Sequence, residues 1–184
     1  MLGVNVESKT RGVDLDAVAR LAASLGARFE GELDQLDTYF RVRRGRLKLR
    51  EISHRTPGGR ISLSAELIRY QRPDESGPRA SSYERTEIGD VTRCRRQLEA
   101  EYGVRGRVRK RRELWTLDST RIHLDRVASL GDFVELETVS AGAAGQDDRR
   151  EHDRIASALG LDPSATVEGS YIDLLEPSSS MPSR

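Results

Sequence analysis

The chain has 184 residues, of which 36% are apolar and 33% charged, with a formal net charge of +1. That is the size of one domain with room for a core, and the balanced charge argues against general nucleic-acid binding, which shows a basic excess. No apolar run is long enough for a bilayer, Met1 opens no signal-peptide pattern, and the single Cys94 excludes an intrachain disulfide, so a cytoplasmic protein with no membrane partner is expected.

In chain order, a strand is predicted from Gly3 to Arg11. Asp14 then caps a helix whose apolar face is Leu15, Val18, Leu21, Ala22 and Leu25, ended by Gly26. A strand over Arg28 to Glu32 and a short acidic turn lead to strands at Asp37 to Arg44 and Arg46 to Ser53, a hairpin about Gly45. Thr56-Pro57-Gly58-Gly59 is a turn before a longer strand, Arg60 to Arg72. Pro73 to Pro78 is a polar loop, followed by a strand on which Arg79, Ser81 and Tyr83 alternate.

Asp90 caps a second helix with Val91, Cys94, Leu98 and Tyr102 on one face, which makes Cys94 a core residue rather than a nucleophile. Strands follow at Arg105 to Leu117, Thr120 to Val127 and Asp132 to Ser140, then a charged helix from Asp147 to Leu159. Residues 1–176 read as one domain, and the tail from Pro177 reads as disordered. No internal repeat is found.

Several strands share one design. Lys110 and Arg112 fall on one face of their strand, and Glu135 and Glu137 on one face of theirs, with Trp115, Val134 and Leu136 opposite. Asn5 to Lys9 and Asp37 to Arg43 alternate likewise, and Lys48-Leu49-Arg50 repeats the Lys-x-Arg spacing. A half-solvated sheet explains any one such strand. Repetition favours a closed barrel with the charged faces inside and helices over the apolar faces, a costly arrangement unless the charges pair or hold a charged ligand.

Of 31 basic residues only three are lysines, Lys9, Lys48 and Lys110, and all three lie on these strands. A site that needs compact, pKa-tunable ammonium groups against phosphate oxygens accounts for that placement.

One family shares these motifs in this order. Glu7-Ser8-Lys9, Asp37-Thr38-Tyr39-Phe40, Arg46-Leu47-Lys48-Leu49-Arg50-Glu51, Glu66-Leu67-Ile68-x-Tyr70-x-Arg72-Pro73-Asp74, Lys110 to Trp115, Ile122 to Glu137 and Tyr171-x-Asp173-Leu174-Leu175 resemble the CYTH family, and within it the branch of class IV adenylyl cyclases. The resemblance runs from the first strand to Leu175. It implies an α+β fold built on a closed eight-stranded antiparallel β-barrel, the triphosphate tunnel, with flanking helices.

It also implies a triphosphate substrate, such as ATP, and Mg or Mn as cofactor. Carried over by position, Lys9, Lys110 and Asp125 are the catalytic candidates. Lys48, Arg50, Arg72, Lys110, Arg112 and Arg121 are the phosphate contacts, and Glu7, Glu135 and Glu137 the metal ligands, hard oxygen donors beside phosphates. Asp125 is placed next to them as a metal or water ligand, and Tyr39 and Tyr70 as positioning or packing residues. His123 shares a strand face with Arg121 and Asp125, which makes it either a tunnel-lining or a structural histidine.

The implied activity is cyclisation of ATP to cyclic AMP and pyrophosphate. The alternatives are a triphosphatase acting on inorganic triphosphate, thiamine triphosphate or a nucleotide, and a module that binds triphosphates without turnover. The family's opening motif is Glu-x-Glu-x-Lys, and here its first position is Asn5, a neutral oxygen in place of a charge. A homodimer is a further expectation, as barrels with exposed apolar strands often pair.

Overall fold

The alternating segments pair into a single eight-stranded antiparallel sheet in the computed structural model, which describes residues 4–71, 82–140 and 145–175. The strands are β1 (Val4–Arg11), β2 (Arg28–Phe40), β3 (Arg46–Arg55), β4 (Ile61–Gln71), β5 (Ser82–Glu87), β6 (Val104–Leu117), β7 (Thr120–Val127) and β8 (Gly131–Ser140). Their order across the sheet is β1-β8-β7-β6-β2-β3-β4-β5. Four helices accompany them: α1 (Leu15–Ser24), α2 (Val91–Tyr102), α3 (Gln146–Ala158) and the short α4 (Tyr171–Leu175). None is long and apolar enough to cross a membrane.

The caps expected from sequence form. The Asp14 carboxylate accepts the Ala17 amide at 3.0 Å, and Asp90 accepts that of Arg93 at 3.0 Å, each satisfying an orphan donor of a first turn. Two expectations change. The acidic turn after Glu32 does not exist, because β2 runs unbroken through it and pairs with β3 on one side and β6 on the other. Glu32 and Asp34 face outward there, toward Arg111 of β6 at 3.7 and 3.9 Å. The break in rhythm is a bulge at Gly31, whose φ of +128° and whose approach to the Arg55 carbonyl leave no room for a Cβ.

The second change concerns closure. β1 and β5 stand at opposite ends of the strand order, and hydrogen bonds among the described residues do not join them, so the ladder establishes the eight-stranded antiparallel sheet and not its closure. The sheet is nonetheless strongly curled, since all eight strands contribute side chains to one cleft. The loop expected at Pro73 to Pro78 and the tail from Pro177 lie outside the described residues.

Burial sorts the two faces. On the convex side, α1 and α3 bury Ile122, Leu124, Val134 and Leu136 against Leu15, Val18, Ala22, Ile155 and Leu159. Further round, α2 lays Cys94 and Leu98 over Phe40, Leu47 and Leu49, and burial pushes the Cys94 thiol pKa up, as befits a packing residue. On the concave side, α4 stoppers one end with Tyr171 and Ile172 packed on Tyr39, Val108, Val127 and Phe133. Gly106 of β6 permits that docking, since a Cβ there would meet Ile172 Cδ1 at 2.6 Å.

Candidate functional site

The concave face holds two copies of one device. On β3, Lys48 and Arg50 point at Asp37 of the neighbouring β2: Lys48 Nζ donates to Oδ2 at 2.7 Å, and Arg50 donates through Nε and a terminal nitrogen at 2.8 and 2.9 Å. On β6, Lys110 and Arg112 point at Asp125 of β7, at 2.9 Å for the ammonium and 2.6 Å for each arm of the guanidinium fork. Antiparallel register creates both, with Asp37 opposite Arg50 and Asp125 opposite Arg112. Each Lys-x-Arg pair is therefore held out toward the cleft by one buried aspartate.

The electrostatics follow from this sharing. Burial alone would raise both aspartate pKa values, but Arg50 with Lys48, and Arg112 with Lys110, outweigh it and hold the carboxyls well below the usual carboxylate range. Lys110 goes the other way. Burial, then repulsion from Arg112, brings it down to about 7, although Asp125 opposes the shift. Arg112 stays charged, because Asp125 more than offsets its desolvation.

Lys110 thus makes stability pH-dependent. With a folded pKa near 7 and an unfolded one about 10.4, the unfolded chain binds more protons between those values. Stability should therefore rise with pH from about 7 toward 9, a slope that Lys110→Met removes. Denaturant unfolding of the two proteins across that range is the check, and parallel profiles would refute it.

Glutamates form the opposite wall. Glu7 of β1 sits in register with Glu137 of β8, and Lys9 with Glu135, so these four side chains share the concave face. Glu135 takes a bond from Arg112 at 2.7 Å; burial would raise its pKa, but Lys9 and Arg112 lower it well below the usual value. Glu137 accepts the Asn5 amide and Arg121 at 3.2 Å. His123 of β7 lies between Glu135 and Glu137, its pKa lowered by burial and by Arg112. Lys9 reaches the Gly169 carbonyl at 3.3 Å and lies 4.4 Å from the centre of the Tyr171 ring.

Every described member of the expected phosphate and metal sets except Arg121 lines this single cleft of about 120 Å³, namely Glu7, Lys48, Arg50, Lys110, Arg112, Glu135 and Glu137, and the catalytic candidate Lys9 joins them. Arg121 is partly exposed and reaches Glu137 from outside the lining. Arg72 lies outside the described residues. Asp125, expected beside a metal, is fully buried, and its two oxygens accept four hydrogen bonds, from Lys110, twice from Arg112, and from the Tyr171 hydroxyl at 2.8 Å. Three of these bonds converge on Oδ2 and one falls on Oδ1. Tyr39 and Tyr70 line the cleft, each with its ring centre 5.4 Å from Lys48 Nζ, with burial raising both pKa values and bringing Tyr70 to about 12.

Three contributors carry roles that the sequence reading did not assign. Asp37, Tyr171 and Asp173 stood only inside family motifs, and the expected hairpin about Gly45 sets residue 37 opposite 53, where the observed register sets it opposite Arg50. Tyr171 and Asp173 come from α4, and Asp173 ties that helix down by accepting Arg46 at 2.6 Å and Arg105 at 3.0 Å. No local pattern announces such long-range partners.

Among the described residues no three His, Cys, Asp or Glu side chains converge on one point as a ready-made metal site. The donors nevertheless suit a hard divalent cation. Glu7, Glu135 and Glu137 line one wall, and two buried atoms beside them, Asn5 Oδ1 and His123 Nδ1, lack any hydrogen-bond partner. Replacing Asn5 with Glu exchanges an amide that occupies Glu137 for a further carboxylate. Asn5→Glu should raise Mn²⁺ affinity by about tenfold, read by calorimetry, and unchanged affinity would argue against Asn5 facing the cation.

Comparison with known proteins agrees with this architecture. The PH1012 protein of Pyrococcus horikoshii OT3 superposes with a TM-score of 0.77 at 24% identity, over 92% of this chain and 98% of that one. A "putative adenylate cyclase" from Vibrio parahaemolyticus gives 0.69 at 23% identity, over 94% and 97%. A "putative adenylyl cyclase" from Hippeastrum, reported to have a dominant triphosphatase activity, gives 0.60 at 14% identity, over 94% of each chain. A search of curated protein sequences finds no match. The family model described as CYTH domain matches residues 4–171, from the first strand of the sheet to the helix that stoppers it, and the chain belongs to that family.

Proposed function

We propose that the cleft holds the triphosphate of ATP against a divalent cation and converts ATP to cyclic AMP and pyrophosphate, as a class IV type adenylyl cyclase. The observation that carries this reading is the opposition of two walls. Lys48, Arg50, Lys110 and Arg112 are presented by buried aspartates on one side, and Glu7, Glu135 and Glu137 stand on the other. Anionic oxygens and a cation are then held side by side, as phosphoryl and nucleotidyl transfer require.

In this mechanism Arg50 and Arg112 grip phosphate oxygens through planar forks, while Lys9, Lys48 and Lys110 place compact charges against the chain. The ribose 3′-hydroxyl attacks the α-phosphorus in line, and the same cations stabilise the pyrophosphate as it leaves. Glu7, Glu135 and Glu137 would hold Mg²⁺ or Mn²⁺, which when bound lowers the hydroxyl pKa and neutralises developing charge. Asp37 and Asp125 act through the cations that they orient. The sealed environment of Asp125 makes it a positioning residue.

Triphosphate hydrolysis is the second reading, favoured by the small cleft, sized for phosphates, and by the activity reported for the Hippeastrum protein. Incubation with ATP and with inorganic triphosphate, each with Mg²⁺ or Mn²⁺, separates the two. Cyclic AMP with pyrophosphate supports the cyclase. Orthophosphate without cyclic nucleotide replaces it with the triphosphatase, and no product from either overturns both.

A further inference from the structure

Two of the histidines are buried, His123 and His152, and their surroundings differ. His152 has both ring nitrogens occupied, Nδ1 with Thr138 Oγ1 at 3.2 Å and Nε2 with Ser8 Oγ at 2.8 Å, as a structural histidine should. His123 is 94% buried and lines the charged cleft, yet its Nδ1 has no partner. Its nitrogens each face a carboxylate, Nδ1 at 4.0 Å from Glu135 Oε2 and Nε2 at 3.9 Å from Glu137 Oε2. Those separations are too long for hydrogen bonds.

They do suit an ion between them. Two donors that each lie about 2.1 Å from one cation stand about 3 to 4 Å apart, the spacing of His123 Nε2 and Glu137 Oε2. The second nitrogen of a metal-bound imidazole usually donates to a carboxylate, which fixes tautomer and ring orientation, and Glu135 stands where that partner is needed.

We propose that His123 is a nitrogen ligand of the cation held at Glu137, oriented through Nδ1 by Glu135, and that it shifts the preference of the site from Mg²⁺ toward first-row transition ions. This rests on the reading that these glutamates bind a cation. Imidazole is a poor ligand for Mg²⁺ and a good one for Ni²⁺ or Zn²⁺, whereas an all-carboxylate site lacks that bias.

The test uses the full chain, with histidine labelled by ¹⁵N, and Mn²⁺ as probe. Pulsed electron paramagnetic resonance should detect histidine ¹⁵N coupling to the bound ion, and His123→Gln should abolish it. The same substitution should lower the ratio of Ni²⁺ to Mg²⁺ affinity by about tenfold or more. The wild-type spectrum decides the matter even if the variant fails to fold. Saturable Mn²⁺ binding that Glu137→Ala removes, but without nitrogen coupling, overturns the role of His123 and leaves the glutamate site standing. Coupling that survives His123→Gln and disappears in His152→Gln also overturns it. Absence of saturable Mn²⁺ binding overturns both the ligand and the cation site beneath it.

Discussion

Asp125→Asn should lower folding stability by about 3 to 5 kcal/mol, the cost of breaking a buried ion pair by removing one partner. The substitution barely changes shape but leaves Lys110 and Arg112 facing each other in a site where Asp125 is fully buried. The Tyr171 hydroxyl loses its charged acceptor as well, so the docking of α4 weakens with it. Equilibrium denaturation measures the loss. Adding Lys110→Met to the same chain should restore part of it, because the buried Lys110 amine has lost its carboxylate whereas Arg112 keeps Glu135, and a double-mutant cycle isolates that coupling.

The pH dependence has a definite sign. The folded Asp125 pKa lies below its unfolded value, so its contribution is fully present above the ordinary carboxylate range and is lost as pH falls through the folded value. The Asn variant should therefore show less acid sensitivity than the wild type. A stability loss below about 1 kcal/mol, the scale of an exposed pair, would mean that Asp125 does not organise these cations.

Glu137→Ala should act on the other wall with the opposite balance of effects. Under the proposed function it removes a ligand of the divalent cation, and turnover should fall by about 10²- to 10³-fold or more, the scale on which one transition-state contact counts. Stability should fall by about 1 to 3 kcal/mol, the cost of leaving a buried donor unpaired, since the buried Asn5 amide loses its acceptor while Arg121 is partly exposed. Product chromatography at saturating Mn²⁺, paired with a denaturation curve, reads both quantities. Full turnover in a folded variant would remove Glu137 from the site. Asp125 and Glu137 thus separate two kinds of carboxylate on one concave surface, one that orients cations and one that receives them.

Much of this was legible in the sequence, and the limits have physical causes. Period-two alternation located the strands, and Asp14, Asp90 and the glycine turns located their borders, because caps and turns are decided by neighbouring residues. The Lys-x-Arg pairs and the spacing of Glu135 and Glu137 put the right side chains on one face for the same reason. Asp34 misled, since an acidic stretch without Gly or Pro reads as a turn only while its cross-strand partner, Arg111, is out of sight. Closure of a barrel depends on whether the two edge strands meet, which alternation within each strand does not encode. The bond from Tyr171 to Asp125 spans 46 positions and is equally invisible to a local reading.

The pairing of β1 with β8 governs how the molecule comes into being. Val4 stands opposite Ser140 and Arg11 opposite Phe133, so the first strand to leave a ribosome waits for the last strand of the sheet. At about 5 to 20 residues per second that wait is on the order of ten seconds, during which Glu7 and Lys9 belong to an unpaired strand. A nascent chain stopped after β7 could fold its hairpins and set both aspartates among their cations, yet it would lack Glu135 and Glu137 and leave Glu7 on a strand without its partner. The carboxylate half of the cleft is complete only when the ends of the sheet's longest-range pairing find each other, so a released fragment presents the cationic half with Glu7 on a free strand.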